Sequence, residues 1–144
     1  METRQLPIER HKHKIDIQVR FNDFDMFGHL NNNAYLEYCD LAKAEFFQYI
    51  LGGPVSPKQL SVVVANLNVN FFAPTLPGEL LSVYTHVRHI GDSSFTLEQD
   101  VINPETRQLK AQAQTVMVSF NIKTLQSTPL PESLRNRLSE HLPE

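Results

Sequence analysis

The 144-residue sequence is poor in cysteine, lacks tryptophan and contains no long apolar segment. Cys39 is the only cysteine, so the chain cannot form an internal disulfide, which favours a reducing compartment and predicts a cytoplasmic protein. No apolar run approaches the roughly 20 residues of a membrane-spanning helix, and the first residues lack the apolar centre of a signal peptide. We therefore expect neither membrane insertion nor export.

Positive charge is scarce as well. The chain has 13 lysines and arginines against 16 aspartates and glutamates, giving a formal net charge of -3. General nucleic-acid binding needs a basic surface that neutralises phosphates, so we expect no nucleic-acid partner. The histidine pair His11 and His13 has no third ligand at a recognisable spacing. We therefore expect no metal site and predict that both histidines are exposed.

The residues that are present fit one globular domain over residues 1–144, since 41% of them are hydrophobic. Strict alternation from Lys12 to Phe21 predicts a first strand with one buried face. From about Asn33, apolar residues recur three or four apart and predict a helix of about five turns. The helix should end at Gly52, because glycine permits a left-handed cap and proline follows soon after.

The remainder of the chain consists mostly of predicted strands, arranged as consecutive antiparallel hairpins and followed by a short helix. These strands cover residues 61–72, 79–90, 93–103 and 108–122. One helix cannot cover both faces of such a sheet, so the economical packing is an α+β fold in which a curved antiparallel sheet wraps around the helix. Val116, Val118 and Phe120 would then lie on the other face and favour an oligomer.

The segment between the first strand and the helix, RFNDFDMFGHLNNNAYLEY, carries more polar groups than a solvent-exposed turn needs. It resembles the signature of the hotdog-fold acyl-CoA thioesterases of the 4-hydroxybenzoyl-CoA thioesterase family. In that signature an aspartate precedes a G-H-V-N-N-x-x-Y run, matched here by Asp25, Gly28, His29, Asn31, Asn32 and Tyr35, with Leu30 in the valine position. Later F-x-x-P, G-E-x-L and G-x-S-S-F elements extend the resemblance over about residues 15–122.

The resemblance implies a hotdog fold and a catalytic role for Asp25. This carboxylate would act as a general base on water or would attack the thioester carbonyl directly, and both possibilities stay open. The backbone amide of Asn32, in the first turn of the helix, would polarise the carbonyl. His29 is grouped with these two residues because it could orient water or the carboxylate, although a histidine bonded to backbone is equally compatible.

Substrate contacts are expected at Asn31 and Tyr35 and, across a subunit interface, at the strand stretch Val63, Val64, Ala65 and Asn66. The expected partners are an acyl-CoA substrate and further copies of the chain, as a homodimer or homotetramer. No cofactor is expected apart from the coenzyme A of the substrate, because its thiolate is a good leaving group that requires neither a metal nor a serine triad.

Two other functions remain open at this point. A hotdog hydratase or dehydratase would use His29 together with Asp25, and a non-catalytic acyl-thioester binder would keep the fold without turnover. Among the other polar residues, Asp23 is expected to form the turn and Cys39 to be a packed thiol. At least one asparagine of the Asn31 to Asn33 run is expected to cap the helix through its side chain.

Overall fold

The structure is a computed structural model that describes residues 4, 12–56 and 60–143. Within those residues, six strands form one antiparallel sheet that accompanies a long and a short helix. The elements in chain order are β1 (His13–Ile17), α1 (Asn32–Leu51), β2 (Val62–Phe71), β3 (Leu81–Ile90), β4 (Ser94–Ile102), β5 (Leu109–Asn121), β6 (Gln126–Ser127) and α2 (Glu132–Ser139).

The sheet has the strand order β1-β3-β4-β5-β2, and the short β6 pairs with β5. Strands β3, β4 and β5 are consecutive antiparallel hairpins, as the sequence predicts. The prediction is wrong for β2, which does not pair with β3 but crosses to the far edge and pairs with β5. Residues 72–80 make this crossing. They therefore pass the same end of the sheet as the loop that leads into α1.

Helix α1 packs against the inner face of the sheet. Its residues Ala42 and Phe46 are fully buried and belong to two apolar clusters, the first shared with Val83 of β3 and the second with Leu97 of β4. Register shifts interrupt three of the strand pairings, and such irregularities increase the bending of a sheet. A sheet wrapped around one long helix is the α+β hotdog arrangement that the resemblance implies.

The C-terminal end and the thiol of α1 follow the sequence prediction. Gly52 comes directly after the helix with a φ of 78°, a left-handed conformation that glycine adopts without strain. Cys39 is buried, and this burial raises the pKa of its thiol to about 12. A thiol with so high a pKa stays protonated at neutral pH, so Cys39 is a packing residue and not a nucleophile.

Two side chains lie where the sequence does not predict them. Phe21 was expected on the buried face of the first strand but is 93% exposed, because the chain leaves the strand early and forms a 3₁₀ turn at Phe21–Asp23. His13 is buried, since it lies on the inner face of β1 and its ring packs beside Tyr49. Tyr49 itself is 60% exposed at the edge of that contact. His11 lies outside the described residues.

Neither helix in the described part of the chain is long and apolar enough to cross a membrane.

Candidate active site

The loop between β1 and α1 folds back on itself. Phe24 and Leu30 form an isolated antiparallel bridge, and the backbone N–H of Asp25 donates to the carbonyl of His29 at 2.8 Å. The N–H of Gly28 returns to the carbonyl of Asp25 at 3.1 Å, which closes a tight turn. Gly28 has a φ of 78°, so a residue with a side chain would strain the backbone here. The glycine of the signature therefore shapes the turn that presents Asp25.

Asp23 anchors this loop to the protein. Its buried carboxylate accepts hydrogen bonds from the backbone N–H of Arg20 at 2.9 Å, from the Arg20 guanidinium at 2.9 Å and from the Tyr38 hydroxyl at 2.5 Å. Its carbonyl accepts the N–H of Asn31 at 2.8 Å. Burial alone would raise the pKa of Asp23, but the bonds from Arg20 and Tyr38 outweigh it and lower the pKa. Asp23 has the structural role that the sequence predicts.

Asp25 is oriented differently. One carboxylate oxygen, Oδ1, accepts the backbone N–H of Phe27 at 2.8 Å and that of His29 at 3.1 Å, so the side chain is fixed in its own turn. The other oxygen, Oδ2, accepts no hydrogen bond from any residue that the structure describes. Asp25 is partly exposed and lines a cavity. One oxygen therefore holds the side chain while the second is available for chemistry.

The first turn of α1 faces the same cavity. Asn31 precedes the helix, and its side chain makes no capping hydrogen bond, contrary to the expectation for this run of asparagines. Neither Asn32 nor Asn33 donates its backbone N–H to an acceptor within residues 12–56 or 60–143. Unpaired first-turn amides at the positive end of a helix dipole are suited to bind negative charge.

These groups surround one opening of about 480 Å³, which we call the polar cavity. Five of the predicted site residues line it, namely Asp25, His29, Asn31, Asn32 and Tyr35. Residues Val63 to Asn66 do not, because in this chain they lie on the exposed edge strand β2. Phe71 and Pro74 also line the polar cavity and were not assigned a role, although the F-x-x-P element of the sequence contained both.

The crossing segment after β2 forms the opposite wall and is braced from two sides. The hydroxyls of Tyr35 and Thr75 lie 2.8 Å apart in a buried hydrogen bond, and the carbonyl of Thr75 accepts the N–H of Leu30 at 3.1 Å. Burial, the largest influence, raises the pKa of Tyr35, so its hydroxyl stays protonated at neutral pH. Tyr35 therefore contributes its ring to the cavity and uses its hydroxyl to hold the wall.

His29 reaches Asp25 through its backbone. Both hydrogen bonds between these two residues use main-chain atoms of His29, and its side chain is exposed. The imidazole is thus part of the cavity wall without a hydrogen bond to the carboxylate within the described chain.

A carboxylate with one available oxygen and unpaired amides at a helix start line one cavity, an arrangement that is chemically suited to attack on an activated carbonyl carbon. The carboxylate can activate water or attack directly, and the amides can receive the charge that develops on the oxygen. The sheet-wrapped helix that carries this site is characteristic of hotdog enzymes.

Comparison with known proteins agrees with this class. The sequence matches the thioesterase-like superfamily over residues 19–138. The long-chain acyl-CoA thioesterase FadM of Escherichia coli K12 is 26% identical over 130 residues, which span 86% of this chain and 95% of FadM. A Thermus thermophilus thioesterase, solved with coenzyme A and zinc, is 31% identical with a TM-score of 0.75 over 87% of this chain and 95% of that one.

A further solved structure, the BH1999 gentisyl-coenzyme A thioesterase, is 28% identical with a TM-score of 0.72, covering 85% of this chain and 99% of that one. The chain therefore belongs to the thioesterase-like superfamily. The fold and the protein class implied by the resemblance in the sequence are confirmed.

Proposed function

We propose that the protein hydrolyses acyl-CoA thioesters to a free acid and coenzyme A, at the polar cavity. The observation that carries this proposal is the placement of Asp25 and the unpaired amide of Asn32 in the wall of one cavity. The names of the relatives support it, because proteins similar over most of their length act on long-chain acyl-CoA or gentisyl-CoA.

In this proposal Oδ2 of Asp25 either takes a proton from water or attacks the carbonyl carbon itself. Water attack gives a tetrahedral intermediate, whereas direct attack gives a mixed anhydride that water then hydrolyses. In both routes the carbonyl oxygen becomes negative and the N–H of Asn32 donates to it. The bond to sulfur breaks and coenzyme A leaves as a thiolate, so no metal or other cofactor is required.

The hydratase or dehydratase alternative needs a histidine and a carboxylate that act as a pair on the acyl chain. The imidazole of His29 makes no hydrogen bond to Asp25 within the described residues, so the geometry does not favour that alternative. We assign the His29 side chain, with Asn31 and Tyr35, to contacts with the thioester and its pantetheine arm.

We further propose that the active unit is a homodimer in a cytoplasmic setting. Within the described residues, strand β2 has an open edge, and Val63 and Val64 are 44% and 51% exposed on it. Pairing of β2 with β2 of a second copy would cover these side chains and bring Val63 to Asn66 of one copy towards the helix start of the other. Association of two such dimers into a tetramer would use the outer sheet face.

Thiol release from acyl-CoA substrates, followed with a thiol-reactive dye, tests this function directly. The Asp25→Asn variant keeps the size of the side chain but removes the basic and nucleophilic oxygen. We expect kcat to fall on the order of 10²- to 10⁴-fold.

Asp40→Asn is the matched control, because Asp40 lies on α1 with 79% of its side chain exposed and lines no described cavity. It should retain wild-type kcat. Equal rates for wild type and Asp25→Asn would remove Asp25 from the mechanism. Tight binding of acyl-CoA by the wild type without any thiol release would instead establish the non-catalytic alternative.

A further inference from the structure

A second cavity adjoins the polar cavity and shares Asp25 with it. Its volume is about 990 Å³, and it lies between the end of β1, the loop that follows and the residues before β3. We call it the apolar cavity because six apolar side chains form much of its wall: Ile17, Val19, Phe21, Phe24, Met26 and Leu80.

Three of these side chains are exposed in the single chain. Phe21 is 93% exposed, Met26 is 90% exposed and Leu80 is 54% exposed. Scattered exposed apolar residues are common, but a group of large ones around a single cavity marks a binding site for something apolar. The local fold explains part of this exposure, because the 3₁₀ turn carries Phe21 out of the strand.

The charged residues of the same wall are neutralised by partners. The guanidinium of Arg20 contacts the carboxylates of Asp23 at 2.9 Å and Glu37 at 3.0 Å. The carboxylate of Glu79 contacts the ammonium group of Lys110 at 2.7 Å. Among the lining residues, the carboxylate of Asp25 alone has no cationic partner in the described part of the chain. Apart from these ion pairs and the amide side chains of Gln18 and Asn22, the wall presents apolar surface, and the Asp25 carboxylate lies at the junction of the two cavities.

We propose that the apolar cavity binds the acyl chain, and that the substrates are aliphatic acyl thioesters long enough to fill it. This inference rests on the proposed function. An acyl thioester has an apolar chain and a polar pantetheine arm on either side of the carbonyl carbon. The polar cavity, with its three asparagines, and the more apolar second cavity meet at Asp25, so the molecule can lie across both with its carbonyl beside the carboxylate.

The size of the apolar cavity indicates how long the acyl chain of the substrate is. Pockets for small ligands measure about 300–1,000 Å³, and 990 Å³ lies at the upper end of that range. A two-carbon or four-carbon acyl group would leave most of it empty, and so would a single aromatic ring. Each methylene that enters the cavity is removed from water, which should raise kcat/KM by up to about fourfold.

The first measurement is a chain-length series on the wild type with acetyl-, butanoyl-, octanoyl-, dodecanoyl- and benzoyl-CoA. We expect kcat/KM to rise steadily from acetyl to dodecanoyl, with benzoyl-CoA below octanoyl-CoA. Hydrolysis at every length with a flat profile would overturn the cavity assignment and leave the proposed function intact. Absence of hydrolysis at every length, including for fresh protein at high concentration, would overturn both.

The second measurement uses Leu80→Asp, which places a charge in the wall. We expect its kcat/KM for dodecanoyl-CoA to fall more than about tenfold, with a loss that shrinks as the chain shortens, because an apolar chain cannot pair that charge. Phe21→Ser should show the same dependence on chain length more weakly, and its exposure makes unfolding an implausible cause.

Leu41→Asp is the matched control. Leu41 is 53% exposed, nearly the same as Leu80, but it lies on α1 and lines neither cavity. Its chain-length profile should equal that of the wild type. If Leu80→Asp lowered kcat/KM equally for all acyl-chain lengths, the acyl chain would bind elsewhere. The same conclusion would follow if Val64→Ser, and not Leu80→Asp, changed the dependence of kcat/KM on chain length.

Light scattering of Leu80→Asp and Phe21→Ser distinguishes the two possible occupants of the apolar cavity, an acyl chain and a second copy of the protein. We expect both variants to keep the oligomeric state of the wild type. A smaller oligomer in either variant would show that a second copy of the protein covers these side chains, and this result would overturn the proposal.

Discussion

At the scale of the residue, two aspartates that are two positions apart have opposite roles. Asp23 is buried, and both of its oxygens are occupied by hydrogen bonds from Arg20 and Tyr38. Asp25 is partly exposed and uses only one oxygen for its turn. The family signature assigns Asp25 to the site and leaves Asp23 to the turn, although both lie in the same loop. The contacts of Tyr38, fifteen positions further along, identify Asp23 as the anchor.

The amide of Asn32 can be tested separately from its side chain. Asn32 is the first residue of α1, and Asn31 before it has ψ of 140°, which is the conformation that a following proline requires. Proline is well tolerated at this helical position and has no N–H. Asn32→Pro should therefore lower kcat by about 10²- to 10³-fold without unfolding the helix.

Asn32→Ala is the companion variant, because it removes the side chain and keeps the amide. Its kcat should remain within a few-fold of the wild type, and circular dichroism should show native helix content in both variants. If kcat fell more in Asn32→Ala than in Asn32→Pro, the side chain of Asn32 would polarise the carbonyl and the proposed role of its backbone amide would be wrong.

At the scale of the element, the site depends on two segments that cross the same end of the sheet. The loop into α1 supplies Asp25, and the crossing after β2 supplies the wall behind it. The ammonium group of Lys110 holds this crossing through the carbonyl of Pro74 at 3.0 Å and the carboxylate of Glu79 at 2.7 Å. Burial would raise the pKa of Glu79, but the hydrogen bonds from Lys110, from the N–H of Leu76 and from Asn103 together outweigh it and lower the pKa.

Lys110→Met should therefore destabilise the protein and loosen the site. Removing the buried ammonium group leaves its acceptors without their donor, and we expect a loss of about 2 kcal/mol in the free energy of unfolding. Urea denaturation followed by circular dichroism measures this loss of stability. We also expect kcat/KM to fall, because the crossing segment that carries Thr75 would shift in the wall of the polar cavity. Lys123→Met, at an exposed turn, is the control with no expected change. Equal stability of both variants would show that the crossing does not need this brace.

At the scale of the whole molecule, the two edges of the sheet differ. Edge strand β1 has five residues and carries the charged pair Lys14 and Asp16 on its outer side. Edge strand β2 has ten residues, and its large apolar side chains are about half exposed. Long apolar edges aggregate unless they are paired, whereas short charged edges resist pairing. The open side of β2 is therefore the expected contact between copies.

Val64→Lys should weaken that contact, because two copies paired along β2 would bring like charges together. Light scattering at low micromolar concentration should show a dimer for the wild type and a monomer for the variant, with activity lost in parallel. Leu41→Lys, on the outer side of α1, should stay dimeric. A wild type that is monomeric and fully active would contradict both the interface and the contribution of Val63 to Asn66 to the site.

The sequence by itself determined the elements and the class of protein. Local periodicity specified α1 and the β3–β4–β5 hairpins, since these depend on residues near each other in the chain. The motif from Asp25 to Tyr35 specified the superfamily and collected five residues that do line one cavity.

The tertiary structure decided what depends on distant contacts. It placed β2 at the far edge and carried Phe21 out of the first strand into an exposed turn. It also showed a second cavity beside Asp25, whose walls come from two segments that are distant in the chain, residues 17–28 and 77–80. Pairing across a sheet and burial against another element are set by the packing of the whole chain, and no local pattern of residues encodes them.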